Sequence, residues 1–296
     1  MTHQEFQDTV WEWYKVNRRE LPWRPPVGIL GKSAERQSAA AAKWCKTHAY
    51  EIFVSEIMLQ QTQVDRVVPF HAAFINTLPD WQALADCPEP KLLRLWKGLG
   101  YNRRALNTKR AAKYVLEHHD GLLPQTREEL QKIPNVGIYT SAALMNFVHG
   151  VPTALIETNV RTVFFHHFYK NRQEISDKEI MKKVTNTMKQ TSPREWMYAL
   201  MDYGSHLRAS GIKITSKSKH YKKQSIFKGS EREVRGKILE ILLNIPILTQ
   251  GLLEQHTGDA LPNNEWNISK VVQDLINEGF LEAKENNISI KNYQDH

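Results

Sequence analysis

The chain has 296 residues, enough for two modest domains or one large one, each able to bury a core of its own. Its two cysteines, Cys45 and Cys87, exclude a disulfide framework and a four-cysteine metal or iron–sulfur site, so two reduced thiols are the simplest reading. Forty Lys and Arg against 32 Asp and Glu leave a formal charge of +8, which favours a polyanionic partner through counterion release but also describes a basic surface that only keeps the chain soluble.

No run of eighteen apolar residues occurs, and "MTHQEFQDTV" at the amino terminus has neither a basic n-region nor an apolar h-region, so the expected location is the cytoplasm, at the nucleoid if the partner is DNA. Through the first 210 residues apolar side chains recur at helical spacing, as in Val10, Trp13, Tyr14 and Val16, and again in Val64, Val67, Val68 and Phe70. Short punctuation, "LPDW", "CPEP", "GLGYN" and "GLLPQT", separates the helical segments, which predicts an all-α body of many short helices. Residues 25–50 are poorly patterned and read as a surface insertion.

"SEIMLQQTQV" (55–64) places a carboxylate, three glutamines and a threonine after the apolar run Ile52, Phe53, Val54, so the polar cluster reads as a turn between helices, with Thr62 and Asp65 as the cap of the next one. Within residues 127–148 a helix through Leu130 meets Ile133-Pro134-Asn135-Val136-Gly137, and a second helix restarts at Tyr139-Thr140. Gly137 is expected to supply the positive φ of the turn, and the free amides of the new helix could hold a phosphate; an ordinary helical hairpin would read the same way.

A lysine-rich stretch at 213–231 reads as an exposed linker. Beyond it come three helices and two short strands around "ENN", the order of a winged helix-turn-helix. Its third helix carries Val271, Val272, Leu275 and Ile276 and is closed by Gly279. Such modules serve protein contacts as readily as DNA. The expected division is a helical domain over 1–212, a basic linker over 213–230 and a winged-helix-like domain over 231–296.

The string "IPNVGIYTSAAL" resembles the helix-hairpin-helix of the DNA glycosylase superfamily that includes endonuclease III. With "RELPWR" (19–24), "SEIMLQQTQV", "LWKGLGYNRRALNTKRAA" (95–112), "ETNVRTV" (157–163) and "ALMDYGS" (199–205), it follows the segment order of MutY-type adenine glycosylases over roughly residues 10–206. The resemblance implies a two-lobed helix-hairpin-helix glycosylase fold with a winged-helix-like addition. It also implies a monofunctional enzyme that flips a mispaired base out of duplex DNA, most directly adenine opposite 8-oxoguanine or guanine, and cleaves its glycosidic bond in base-excision repair. Thymine or uracil opposite guanine, or a catalytically weak lesion binder, are the alternatives it leaves.

By the same resemblance Glu56 is the general acid, Glu157 the carboxylate beside the sugar, and Tyr139 and Asn159 assist. Trp23, Arg24, Leu59, Gln60, Gln61 and Tyr198 form the base pocket and wedge. Asn135, Val136, Gly137, Tyr139, Thr140 and Tyr101 contact phosphates, and Arg103, Arg104, Lys109 and Arg110 could extend that track. The sequence departs from the family in having Glu157 where the family has Asp, one methylene longer. Tyr139 stands where bifunctional relatives carry a Schiff-base lysine. Arg208, Thr215, Ser218 and Gln224 occupy the region of the four cluster cysteines, so no cofactor and no metal are expected. The expected partner is duplex DNA with a mismatch or oxidised base, bound by a monomer without membrane association.

Overall fold

The structure, a computed structural model, describes residues 1–29, 38–170, 172, 175–188, 192–212 and 226–293. The helices in chain order are α1 (His3–Asn17), α2 (Ala39–Thr47), α3 (Ala49–Met58), α4 (Val64–Thr77), α5 (Trp81–Asp86), α6 (Glu89–Trp96), α7 (Arg103–His119), α8 (Arg127–Leu130) and α9 (Ile138–Leu144). They continue with α10 (Thr158–Phe168), α11 (Asp177–Thr187), α12 (Pro193–Ala209), α13 (Glu231–Asn244), α14 (Gln250–Ala260) and α15 (Ile268–Asn277). Three short strands, β1 (Ile247–Thr249), β2 (Leu281–Lys284) and β3 (Asn287–Ile290), complete a largely helical fold.

Two compact units are present. One joins Met1–Gln61 to Tyr114–Lys222; the other joins Thr62–Lys113 to Lys223–His296. The carboxy-terminal segment thus clusters with residues 62–113, a partition that cuts across the division read from the sequence.

In the first unit α1 opens with a capping box between Thr2 and Glu5 and buries Phe6, Val10, Trp11 and Tyr14. Val16, expected on that face, is 85% exposed, because the true stripe runs i, i+4, i+5, i+8 from Phe6. Phe6 packs on Phe164 at 5.2 Å and edge-on to Trp196 at 5.9 Å between ring centroids, which ties α1 to α10 and α12.

Part of the predicted surface insertion is core. Ser38 caps α2 by accepting from the Ala41 amide, and Ala41 and Cys45, one turn apart, are buried. The short alanine side chains let this helix lie close to its neighbours, a feature that poor large-residue patterning concealed. Residues 30–37 of that stretch, and 213–225 of the lysine-rich run, lie outside the described residues.

In the second unit α13, α14 and α15 pack beside an antiparallel sheet of order β1-β3-β2. Gly279, with φ +79, closes α15, and the Phe280 amide returns to the Leu275 carbonyl at 2.9 Å, a Schellman-type end. The β2–β3 hairpin turns at Glu285 (φ +56), where "ENN" implied a turn. β1, only three residues long, had no readable alternation and was not foreseen.

Candidate active site

Helix α3 is apolar on nearly every side and carries Glu56 inward on its last turn, between the buried Ser55 and Ile57. Among the described residues no hydrogen bond holds the Glu56 carboxyl. Burial pushes its pKa up to about 8; Arg24 opposes the shift and the charge of Glu157 adds to it.

Glu157 is the N-cap of α10, and its Oε1 accepts from the Val160 amide at 2.9 Å. Burial raises its pKa too, but the Asn159 and Val160 amides, and then Arg208 and Arg161, favour its ionised form. Tyr139, early in α9, has its phenol held well above the ordinary range by burial, then by Glu56 and Glu157. Glu56 and Tyr139 therefore both feel the charge of Glu157, and the fold brings together residues that the sequence spreads from 56 to 157.

Arg24 is buried behind them. It donates to Asp202 from both terminal nitrogens, at 2.8 and 2.9 Å, and Arg19 reaches the same carboxylate at 2.6 Å. Burial works against the Arg24 charge, but Asp202 outweighs it and holds the guanidinium protonated. Asp202 in turn has its pKa lowered, burial being overcome by Arg24 and Arg19.

The expected pocket position of Tyr198 needs correction. Its ring is buried, stacked on Phe147 at 4.5 Å on one side and covered by Arg24 at 4.1 Å. No face remains for a base to stack on, so Tyr198 supports Arg24 from behind. Trp23 is likewise buried. Asn159 is half-buried, and its side-chain oxygen accepts from Arg208 at 3.4 Å.

Two residues of "ALMDYGS" to which sequence reasoning gave no role are central. One is Asp202, described above. The other is Gly204, where an added Cβ would lie 2.3 Å from the backbone oxygen of Asn159. Only glycine lets α12 approach the start of α10 this closely, and that approach fixes Glu157. A glycine two residues after an acid, inside a helix that has no other glycine, was the available signal.

The turn after α3 runs through Leu59 and Gln60, both half-buried, to the exposed Gln61. Gln61 has φ +58, a left-handed conformation uncommon for a non-glycine residue and worth of order 1 kcal/mol of strain. Thr62 is not the cap of α4: the N-cap is Gln63, with no side-chain cap bond. The Gln60 side-chain amide donates to the Thr140 hydroxyl at 3.4 Å, and Thr140 is buried, so its backbone rather than its hydroxyl faces a ligand.

In the hairpin the left-handed residue is Asn135 (φ +68), whereas Gly137 has φ −90 and serves as N-cap of α9 without a side-chain cap bond. Nothing lies within 4 Å of a Cβ built on Gly137, and the next residue, Ile138, is 72% exposed. The amides at 138–140 precede the first intrahelical bond, from Ser141 to the Gly137 carbonyl at 2.9 Å, and are open to an anion. Val136 is buried beneath them.

In the second unit Gly98 (φ +104), Gly100 (φ +71) and Tyr101 (φ +50) make a tight left-handed loop. Arg104, expected on a phosphate track, is buried and donates to the Leu99 and Gly100 carbonyls, both at 3.1 Å. It holds the loop together and is not a free surface cation. Arg103 pairs with Glu278 at 2.6 Å.

Residues 54–190 match the HhH-GPD superfamily of base excision DNA repair proteins. They form a helix-hairpin-helix glycosylase domain of that superfamily. The relatives are named adenine DNA glycosylase, the MutY-type branch anticipated from the motifs. That of Buchnera aphidicola subsp. Baizongia pistaciae is 30% identical over 210 residues, covering 69% of this chain and 53% of its own. That of Mycolicibacterium smegmatis is 29% identical over 249 residues, 78% of each chain. The human one is 34% identical over 159 residues, 53% of this chain and 27% of its own. The chain thus spans about half the length of the first of these and about a quarter of the human protein. A solved thermostable thymine-DNA glycosylase superposes with a TM-score of 0.54 at 22% identity, covering 69% of this chain and 86% of that one, and shares the fold. Among the described residues no helix is long and apolar enough to cross a membrane.

Proposed function

We propose that this protein is a monofunctional DNA glycosylase of base-excision repair that removes a mispaired adenine, opposite 8-oxoguanine or guanine, from duplex DNA. The observation that carries the reading is the buried Glu56 carboxyl, its proton held up to about pH 8, facing Glu157 on a helix N-terminus. Burial raises both carboxyls, but only Glu157 has backbone amides supporting its anion, and that difference assigns the acid to Glu56 and the charge to Glu157.

Once the base has been drawn out of the stack, Glu56 donates its proton to a ring nitrogen of the leaving adenine. The electron pair of the glycosidic bond leaves with the base, and the positive charge that develops on the sugar faces Glu157. Water adds to the sugar carbon, its proton passes to the now basic Glu56, and an abasic sugar remains. The Tyr139 phenol stays protonated and acts as a dipole beside the cation. Tyr139 offers no amine for a Schiff base, which supports hydrolysis without strand cleavage.

The open amides at 138–140 would hold a backbone phosphate, and the strained Gln61 would enter the stack vacated by the base. We read the chain as cluster-free, because its two cysteines are buried in different compact units and cannot supply four thiolates. Duplex DNA is the partner, bound by a monomer.

The test is a set of duplexes with A opposite 8-oxoguanine, A opposite G, and T or U opposite G, each treated with alkali after incubation. Strand breakage at adenine only after alkali is expected. Breakage without alkali would refute the monofunctional assignment, and full activity of Glu56→Gln would refute the acid.

A further inference from the structure

The carboxy-terminal segment differs from the rest of the chain in the sign of its charge. Residues 231–296 hold eleven Asp and Glu against six Lys and Arg, a net charge of −5, whereas the preceding 230 residues carry the opposite sign, +13. A base-reading α15 would bring that negative charge against phosphates, which disfavours it as a second DNA reader.

Its residues instead turn toward the "GLGYN" loop of the same compact unit. Lys97 pairs with Glu240 at 2.9 Å, Arg94 donates to the Leu243 carbonyl at 2.8 Å, and Glu278 accepts from Arg103 and Arg235. Arg232 donates to the Tyr101 hydroxyl at 3.0 Å, and its guanidinium carbon is 5.6 Å from the Tyr101 ring centre and 5.9 Å from that of Phe227.

Both rings are open to solvent, Tyr101 at 37% and Phe227 at 57% exposed. Their backbones are fixed. The left-handed run through Gly98, Gly100 and Tyr101 presents the tyrosine, and the guanidinium carbon of Arg104 lies 5.5 Å from its ring centroid. The Phe227 carbonyl accepts from the Ser230 hydroxyl, and Arg232 reaches the Ile226 carbonyl at 3.4 Å. The neighbouring carboxylate, Glu233, is turned onto the Gly229 amide. In the sequence, residues 213–228, which end beside Phe227, contain six lysines and no Asp or Glu.

We propose that Tyr101, Arg232 and Phe227 form a stacking platform for a nucleobase that has left the duplex stack, with α13 supplying Arg232 and the segment just before it Phe227. Exposed aromatic rings on either side of one guanidinium, with a second guanidinium, Arg104, near the Tyr101 ring, match unpaired nucleotides, whose bases stack on rings and on guanidinium planes. The inference rests on the proposed action on DNA, but it concerns binding and not bond cleavage.

The test uses the full chain with two DNA probes, a fully paired duplex and the same duplex with one bulged 2-aminopurine. The wild type is expected to prefer the bulged probe and to quench its fluorescence. Phe227→Ala should weaken binding to the bulged probe about five- to 150-fold, the range for losing one stacked base, and leave the paired duplex nearly unchanged. Arg232→Gln should reduce the quench, and Leu122→Ala, exposed in the other unit, should match the wild type. If both platform variants bind both probes as the wild type does, the proposal is overturned. It is also overturned if Phe227→Ala changes only self-association in sedimentation, which would make the patch a contact between copies. Normal base excision together with unaltered bulge binding in the variants would remove the platform alone. Lost bulge binding in the variants of a wild type that excises no base would remove the enzyme reading alone. A wild type that binds neither probe would overturn both.

Discussion

Replacing Glu56 by glutamine should separate the charge of this residue from its shape. The folded-state pKa, pushed up to about 8, lies above the ordinary 4.5, so the folded chain binds the proton more tightly than the unfolded chain does. The resulting stabilisation is fully present below pH 4.5 and is lost as pH rises through 8. Between pH 5 and 7 the wild type should therefore lose roughly 2–3 kcal/mol relative to Glu56→Gln, which stays neutral throughout, since each pH unit in this window contributes about 1.4 kcal/mol. Urea denaturation of both proteins at pH 5, 6 and 7, followed by tryptophan fluorescence, measures the difference and cancels groups common to both. Glu56→Gln should be nearly as stable as the wild type at pH 5 and clearly more stable at pH 7, while its excision activity is lost. Parallel stability curves would refute the claim that Glu56 is an uncharged acid in a dry pocket.

Glu157→Gln keeps an oxygen for the Val160 amide but removes the charge, so stability should change little while single-turnover excision falls about 10²- to 10³-fold. Asp202→Asn leaves the buried Arg24 without its counter-charge; a loss of about 3–5 kcal/mol in denaturant titrations is expected. Because Arg24 then pulls harder on Glu56, the alkaline limb of the activity profile should also move to lower pH. Gly204→Ala would force α12 off the Asn159 backbone and cost about 1–3 kcal/mol in thermal melts, with excision reduced in the remaining folded protein. Gly137→Ala meets no atom of its own chain and should melt like the wild type, yet weaken DNA binding in anisotropy assays because its methyl group stands where a phosphate approaches.

What the sequence disclosed, and what it hid, follows from the range of the interactions involved. The turn at 59–63, the break before α9 and the Gly279 cap are local, set by the hydrogen-bonding appetite of a few adjacent residues, and they could be read directly. The positive φ in the hairpin was assigned to Gly137 because glycine adopts it most cheaply, but Asn135 takes it, asparagine being the other residue that tolerates that region. Gly204 looked like one more small residue on a helix until the Asn159 backbone was found against it. Arg104 and Arg103 looked alike as cations along a helix, and only tertiary structure showed one consumed by loop carbonyls and the other paired with Glu278, 175 positions further along the chain. Such long-range pairings leave no periodic trace in a single sequence.

The extra methylene of Glu157 is best weighed through the cap it forms. Aspartate is among the preferred N-caps and glutamate is not, since the longer arm must fold back to reach an amide three residues on. Glu157 does reach it, at 2.9 Å, so much of the added length is taken up along the backbone of α10 and the charge remains at the helix terminus. Its anion is thereby supported by two amides, while Glu56, which feels that charge, has no such support and feels an arginine already committed to Asp202. The two acids differ in what holds their charge, and that difference survives the exchange of aspartate for glutamate. The division of labour in this pocket therefore depends less on the identity of residue 157 than on Gly204 keeping α10 in place and Asp202 offsetting the positive charge of Arg24, which would otherwise drive the proton off Glu56.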